Sequence, residues 1–379
     1  MPRRARQVYH NNFNKQWVRE LYMLRHLTIA GALAALGTFT GTCQAQGDFI
    51  GEFIVFPAVT NHASFHGGLN GELQRRIIGS DIDFFATAEA RGFSFLGELL
   101  VEDSEDVGDS ADLERFQVGY DLGIDTRLWF GRYHNPVGIW NTQYHHGRYM
   151  ETSITRPGFL LYEEQGGILP MHIFGFLLEH RQALADGAIR YSLAVGRGPE
   201  LSSGELRPID VFRPTYGESG PATTVRLEYQ PDEGTISAYA LFVSQVQIRD
   251  DMTTYSDIDQ RIAGASAIWQ GNKLRLLSSV FYVQNNVGSS ISDQFGYGYV
   301  QAEYQWTPRW NTYARALASS GVNDDAYLAY FPHVYKDQDI AGVRFDFKNN
   351  QALKVEVDHV RVVGDDYDAL CFQWSAAFP

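Results

Sequence analysis

The 379-residue chain carries 31 Lys and Arg against 45 Asp and Glu, a formal charge of −14, with 44% hydrophobic and 14% aromatic residues. That balance disfavours nucleic acid, which requires a basic footprint. Mean hydropathy of −0.26 is too low for a bundle of membrane helices but suits strands of which every second residue meets lipid.

Residues 1–22 are polar and basic and show no periodic pattern. Met23 reads as the true start of translation, with 1–22 as an upstream extension. Leu24-Arg25-His26 then precede an apolar run over 27–39 and a short polar stretch over 40–45. This is the layout of a secretory signal peptide at 23–45, cleaved after Ala45. The run is shorter than the roughly 20 residues of a spanning helix. Residues 1–45 carry six basic residues and one acidic one, so the exported part stands at −19. Cys371 is its only cysteine, which excludes an intrachain disulfide.

From residue 46 onward, period-2 alternation predicts about sixteen strands. They fall near 49–58, 82–90, 93–101, 113–120, 127–133, 172–179, 189–195 and 224–229. The second half follows near 236–243, 261–269, 274–283, 297–306, 310–318, 340–347, 353–361 and 369–378. Some junctions are short and rich in Gly, Pro, Asn and Asp, among them Arg91-Gly92, Ala185-Asp186-Gly187 and Thr307-Pro308-Arg309. The others are expected to be long: 102–112, 134–170, 197–222, 244–260, 285–295 and 319–339. Short and long junctions alternate. That asymmetry, with an even strand count, predicts an all-β fold: a transmembrane antiparallel barrel with short periplasmic turns and long external loops. The last strand agrees. Leu370, Phe372, Trp374, Ala376 and Phe378 share one face and would meet lipid. The domains expected are therefore 1–22, 23–45 and a barrel over 46–379. A secreted soluble β-sandwich remains an alternative, because it shows the same alternation with its polar face outward.

A barrel of this width is expected to hold water rather than a packed core. The alternation then puts Arg115, Arg190, Arg226, Arg275, Arg315, Arg344, Glu303 and Asp358 on the lumen wall, together with Lys354 and Glu356. The wall is mixed in sign, and its acidic excess predicts at most a weak cation preference. The segment 134–170 is too long and too aromatic to wave freely in water. It is expected to fold inward and narrow the pore, with Arg132, Arg148, Glu151, Arg156, Glu163 and Glu164 as constriction charges. His134, His145, His146 and His172 lack the spacing of a metal site. Ser153 and His145 lie in one loop without a third partner, so no enzyme is expected. No pattern calls for a cofactor.

The signal peptide, the strand ladder, the stretch Leu128-Trp129-Phe130-Gly131-Arg132-Tyr133 entering a long loop, and the aromatic final strand together resemble outer-membrane porins of Gram-negative bacteria. In pattern the chain is most similar to the substrate-selective group related to phosphate-selective porins. The resemblance covers the whole exported chain, although Pro379 follows the Phe that usually comes last. It implies passive diffusion of small hydrophilic solutes or ions. It also implies outer-membrane lipid and lipopolysaccharide as surroundings, and the barrel assembly machinery as a folding partner. A homotrimer is left open, as is a closed barrel acting as scaffold or adhesin.

Overall fold

The computed structural model describes residues 51–67, 73–105, 108–144, 147–163, 166–209, 220–231, 236–250, 257–288, 291–347 and 350–378. The expected signal peptide, its cleavage after Ala45 and the extension at 1–22 lie outside the described residues, as do His145, His146, Glu164 and Pro379.

Four strands open the sheet: β1 (Gly51–Gly67), β2 (Leu73–Ala90), β3 (Phe93–Ser104) and β4 (Gly108–Gly123). β5 (Thr126–His134), β6 (His172–Leu184) and β7 (Gly187–Arg197) follow. A small hairpin, β8 (Glu200–Ser202) and β9 (Glu205–Arg207), interrupts the series. It resumes with β10 (Pro221–Pro231), β11 (Ile236–Asp250), β12 (Asp257–Gln270) and β13 (Leu274–Val287). It ends with β14 (Ile291–Thr307), β15 (Trp310–Ser320), β16 (Tyr335–Asp346), β17 (Gln351–Val362) and β18 (Asp365–Ala377). Each long strand pairs antiparallel with the next, β7 pairs β10 across the hairpin, and β18 returns to β1 from Ala58↔Ala377 to Gly67↔Asp368. Sixteen strands thus close a barrel. Closure removes every open sheet edge, and it rules out the sandwich. No helix among the described residues is long and apolar enough to cross a membrane.

The turns explain the register. Arg91 and Gly92 both take positive φ, 51° and 79°, which a two-residue type I′ hairpin requires. At the β14–β15 turn, Thr307 Oγ1 accepts the amides of Arg309 and Trp310 at 3.3 and 3.2 Å.

The burial pattern is inverted relative to a soluble sheet. On β17, Leu353, Val355 and Val357 are exposed, while Lys354, Glu356 and Asp358 between them are buried. Beyond Asp358 the pattern reverses. His359 and Arg361 now face outward, and Val360 and Val362 are buried. β12 shows the same switch. Ala263, Ala265 and Trp269 lie on its outer face within the band, whereas Asp257, Asp259 and Arg261 are exposed above it, with Ile258 and Ile262 inside. An apolar outer face belongs against lipid and a polar one against water, so the switch marks the edge of the hydrocarbon band.

This edge corrects two expectations. The junctions at 102–112, 244–260 and 285–295 are not long loops; the strands simply continue past the band. β1 and β2 run to Gly67 and from Leu73 for the same reason. By the strand bounds, the stretches 135–171, 198–220 and 321–334 are the long ones among the connections between described barrel strands. Secondly, the lumen is not a water-filled tube throughout. Inside the upper half sits a packed core. Trp140, Phe159, Leu160 and Leu169 of the first long loop pack with Phe242, Ile262, Phe281 and Phe295 of the wall. The β8–β9 hairpin adds Leu201 and Leu206, and the third loop adds Tyr327 and Phe331.

Placing Arg at Val357, at the middle of the exposed face of β17, should cost about 2–4 kcal/mol of folding stability in lipid. Urea unfolding from liposomes measures this, and a loss below about 0.5 kcal/mol would contradict a lipid-facing outer wall.

Candidate functional site

The first long loop leaves β5 and re-enters at β6 through a pinched neck. The Asn135 amide donates to Met171 O at 2.7 Å, and Asn141 Nδ2 donates to both Asn135 O and Met171 O. Between them runs a short helix, α1 (Gly138–Gln143). Gly138 is needed there: its φ is +69°, and a Cβ would lie 2.9 Å from the Phe281 ring.

A loop inside a barrel must find partners for its peptide groups. The inward side chains of the wall provide them. Arg226 donates to Gly138 O at 3.0 Å. Arg344 donates to Tyr149 O and Glu151 O, both at 2.7 Å. Lys354 donates to Arg148 O at 2.6 Å and Ser153 O at 3.2 Å. Arg315 donates to Thr155 O at 3.0 Å. The acids complete the set. Glu356 accepts the amides of Ile154 and Thr155 at 2.9 Å and the Thr155 hydroxyl at 2.7 Å. Glu303 accepts from Thr152 Oγ1 at 2.9 Å. Gly158 lies flat on Tyr335, where a Cβ would come within 2.2 Å of the ring.

Arg226, Arg315 and Arg344, expected as solute-facing wall charges, are therefore engaged with the loop. Arg115 is bound to the buried Glu98 at 2.5 Å. Arg275 sits 3.5 Å from Glu303 and over the Tyr144 ring. Arg190 is exposed near the turn preceding Gly187. Asp358 is buried in the wall of the cavity described below.

The expected constriction residues separate into two groups. Arg132 and Glu163 are buried at the base of the loop. Arg132 is 3% exposed, with Asp112 at 3.5 Å and Glu114 at 3.6 Å. Glu163 is 0% exposed and receives the Met171 and His172 amides and His172 Nδ1, the last at 2.5 Å. They anchor the loop's neck, a role that acid and base types alone do not reveal. His172 belongs to the same anchor, with Nε2 3.1 Å from Glu114. Ser153 is fully buried, and its hydroxyl donates to Thr155 O at 3.1 Å.

Arg148, Glu151 and Arg156 form the second group. They line a cavity of about 210 Å³ between the loop and the wall of β1 and β16–β18. His62, Tyr162, Tyr335 and Asp358 are also on its surface. Arg148 Nε lies 3.1 Å from Asp81 on β2. Burial works against the Arg148 charge, but Asp81, helped by Tyr162, Glu102 and Glu151, holds its pKa above the ordinary arginine value. The packed core fills the opposite side, so this cavity is off-centre. The third long loop is secured by Asp325, which accepts the Tyr327 and Leu328 amides at 2.9 and 3.1 Å. Burial raises its pKa, and those hydrogen bonds and the one from Asn285 act in the other direction. Tyr327 OH in turn donates to Ile168 O at 2.8 Å.

No family model matches the sequence, and no curated protein matches it. The fold has clear counterparts among solved structures. The anion-selective porin from Comamonas acidovorans superposes with a TM-score of 0.57 at 12% identity, covering 86% of this chain and 100% of that one. The outer membrane channel DcaP of Acinetobacter baumannii gives 0.53 at 12% identity, over 90% and 100%. OmpT, an outer membrane protein of Vibrio cholerae in a trimer form, gives 0.55 at 9% identity, over 86% and 99%. The chain shares their fold, that of outer-membrane porin barrels.

Replacing Glu356 by Ala removes three hydrogen bonds to a carboxylate, each worth about 1.5–3 kcal/mol. Limited trypsin digestion of the folded barrel should then cut after Arg148 much faster than in the parent protein. Equal cutting rates would show that the clamp does not hold the loop.

Proposed function

We propose that this protein is an outer-membrane porin. Small hydrophilic solutes cross it down their gradient, through the off-centre space between loop 135–171 and the wall of β1 and β16–β18. The observation that supports this most is the division of charged groups. Arg344, Lys354 and Glu356 of this same wall hold the loop, and Arg148, Glu151, Arg156 and Asp358 line a cavity beside them in the lumen. A gate built this way fixes the width of the passage without any moving part.

The packed core favours a selective pore over a wide general one. A lumen largely filled by its own loops leaves room for one small solute at a time. This agrees with the resemblance to substrate-selective porins. Opposed acids and bases at the narrowest part would orient dipolar solutes in a transverse field. The trimer form of the Vibrio cholerae protein makes a homotrimer the assembly to look for, by mass measurement in detergent.

Purified protein in a planar bilayer should give stepwise ion currents. Arg148→Ala should change the conductance or the reversal potential under a salt gradient, because it leaves Asp81 unopposed beside the cavity. A pure, folded protein that never conducts would sink the porin reading and favour a closed barrel acting as scaffold or adhesin. Conduction unaltered by this substitution would place the path elsewhere in the lumen.

A further inference from the structure

The cavity beside the loop has a chemistry that its charges alone do not describe. Most of its surface is apolar or aromatic, including Leu161, Tyr162, Tyr335, Val360 and Tyr367. Its cations are not equivalent. Arg148 is held by Asp81 at 3.1 Å. Arg156 is 6% exposed, and among the described residues no acceptor reaches its Nε, Nη1 or Nη2. The Tyr162 ring packs on it, its centroid 4.0 Å from the guanidinium carbon. A buried guanidinium without a hydrogen-bond acceptor is costly, and a ring face offsets only part of that cost. Its planar fork matches one carboxylate.

The remaining lining sets the rest of the ligand. Glu151 shares the cavity with Arg156, so a second negative charge would meet repulsion. A neutral molecule would leave the guanidinium unpaired. The volume of about 210 Å³ exceeds the roughly 150 Å³ that suffices for a benzene ring, which leaves space for one small charged group. The stacked rings of His66 and Tyr367, 4.8 Å apart and 5° from parallel, add a flat surface to the same wall.

We propose that this cavity is a binding site for an organic monoanion with a flat apolar body. The carboxylate sits on Arg156, and the body lies among Tyr162, Tyr335, Val360 and Tyr367. The proposal rests on the cavity being part of the solute path, and it names the class of solute. It disfavours phosphate, which carries more charge and no apolar body.

Isothermal titration of the detergent-folded full-length protein tests this, with benzoate, inorganic phosphate and benzyl alcohol as probes. Benzoate is expected to bind at least tenfold more tightly than either of the others. Arg156→Ala should abolish that preference, Arg156→Lys should restore part of it, and Arg309→Ala, in the β14–β15 turn, should leave it intact. Equal affinities for the three probes in the parent protein would overturn the proposal even if the Arg156 variants failed to fold. So would benzoate binding unchanged in Arg156→Ala. The channel reading is tested separately by bilayer currents. A conducting barrel indifferent to benzoate defeats this inference alone; benzoate binding without conduction defeats the porin reading and leaves the site.

Discussion

Peptide groups packed against the inner wall of a barrel give up their water shell, and each then needs a protein partner. In this protein that requirement is met by the wall. Arg226, Arg315, Arg344 and Lys354 give their donors to carbonyls of the first long loop, while Glu303 and Glu356 take its amides and hydroxyls. Long cationic side chains suit this task. They reach several carbonyls from one anchor point, and Arg presents its donors in a fixed fork. The position of the packed core, the off-centre cavity and the identity of the remaining charges all depend on that clamp.

The second organising constraint is the edge of the hydrocarbon band. Below it the strands turn apolar residues outward and charges inward. Above it the same strands behave as walls of a soluble domain, with Ile258 and Ile262 facing a core and Val360 and Val362 buried as well. The molecule therefore joins two solvation regimes within single strands. The core of the upper part is contributed by three separate loops as well as by the wall, which makes it a small globular unit held in a cylinder.

Those two regimes also explain what was legible in the sequence. Inside the band, alternation is strong, and all sixteen strands are visible there. Above it the outer face becomes polar, as at Asp257, Asp259 and Arg261. The alternation there looks like loop, so the strand ends are not legible from the sequence. The aromatic content of 134–170 points to burial of that segment. It cannot say which wall residues bind it, because the partners are backbone carbonyls present in every residue. Glu163 and Arg132 illustrate the same limit. Charge and location within the loop suggested a constriction; only the packing shows that both are sealed into the neck. The cavity was equally hidden, since it joins residues near 62, 156, 335 and 367 that no local pattern links.

The clamp also bears on how the chain reaches its final form. Neighbouring strands pair locally through short turns, so most of the sheet grows without a large loop to close. The exceptions are few and distant. Lys354 meets the carbonyl of Arg148 across 206 residues, Glu356 meets Thr155 across 201, and β1 waits for β18. Such contacts carry the largest chain-entropy cost and form slowly. The first loop is made long before the strands that hold it, and its apolar side chains must be accommodated in the meantime. Final registration of β15–β17 is then the event that converts a nearly finished cylinder into one with a defined interior. Late steps of assembly, rather than the early hairpins, would decide whether the interior is correct.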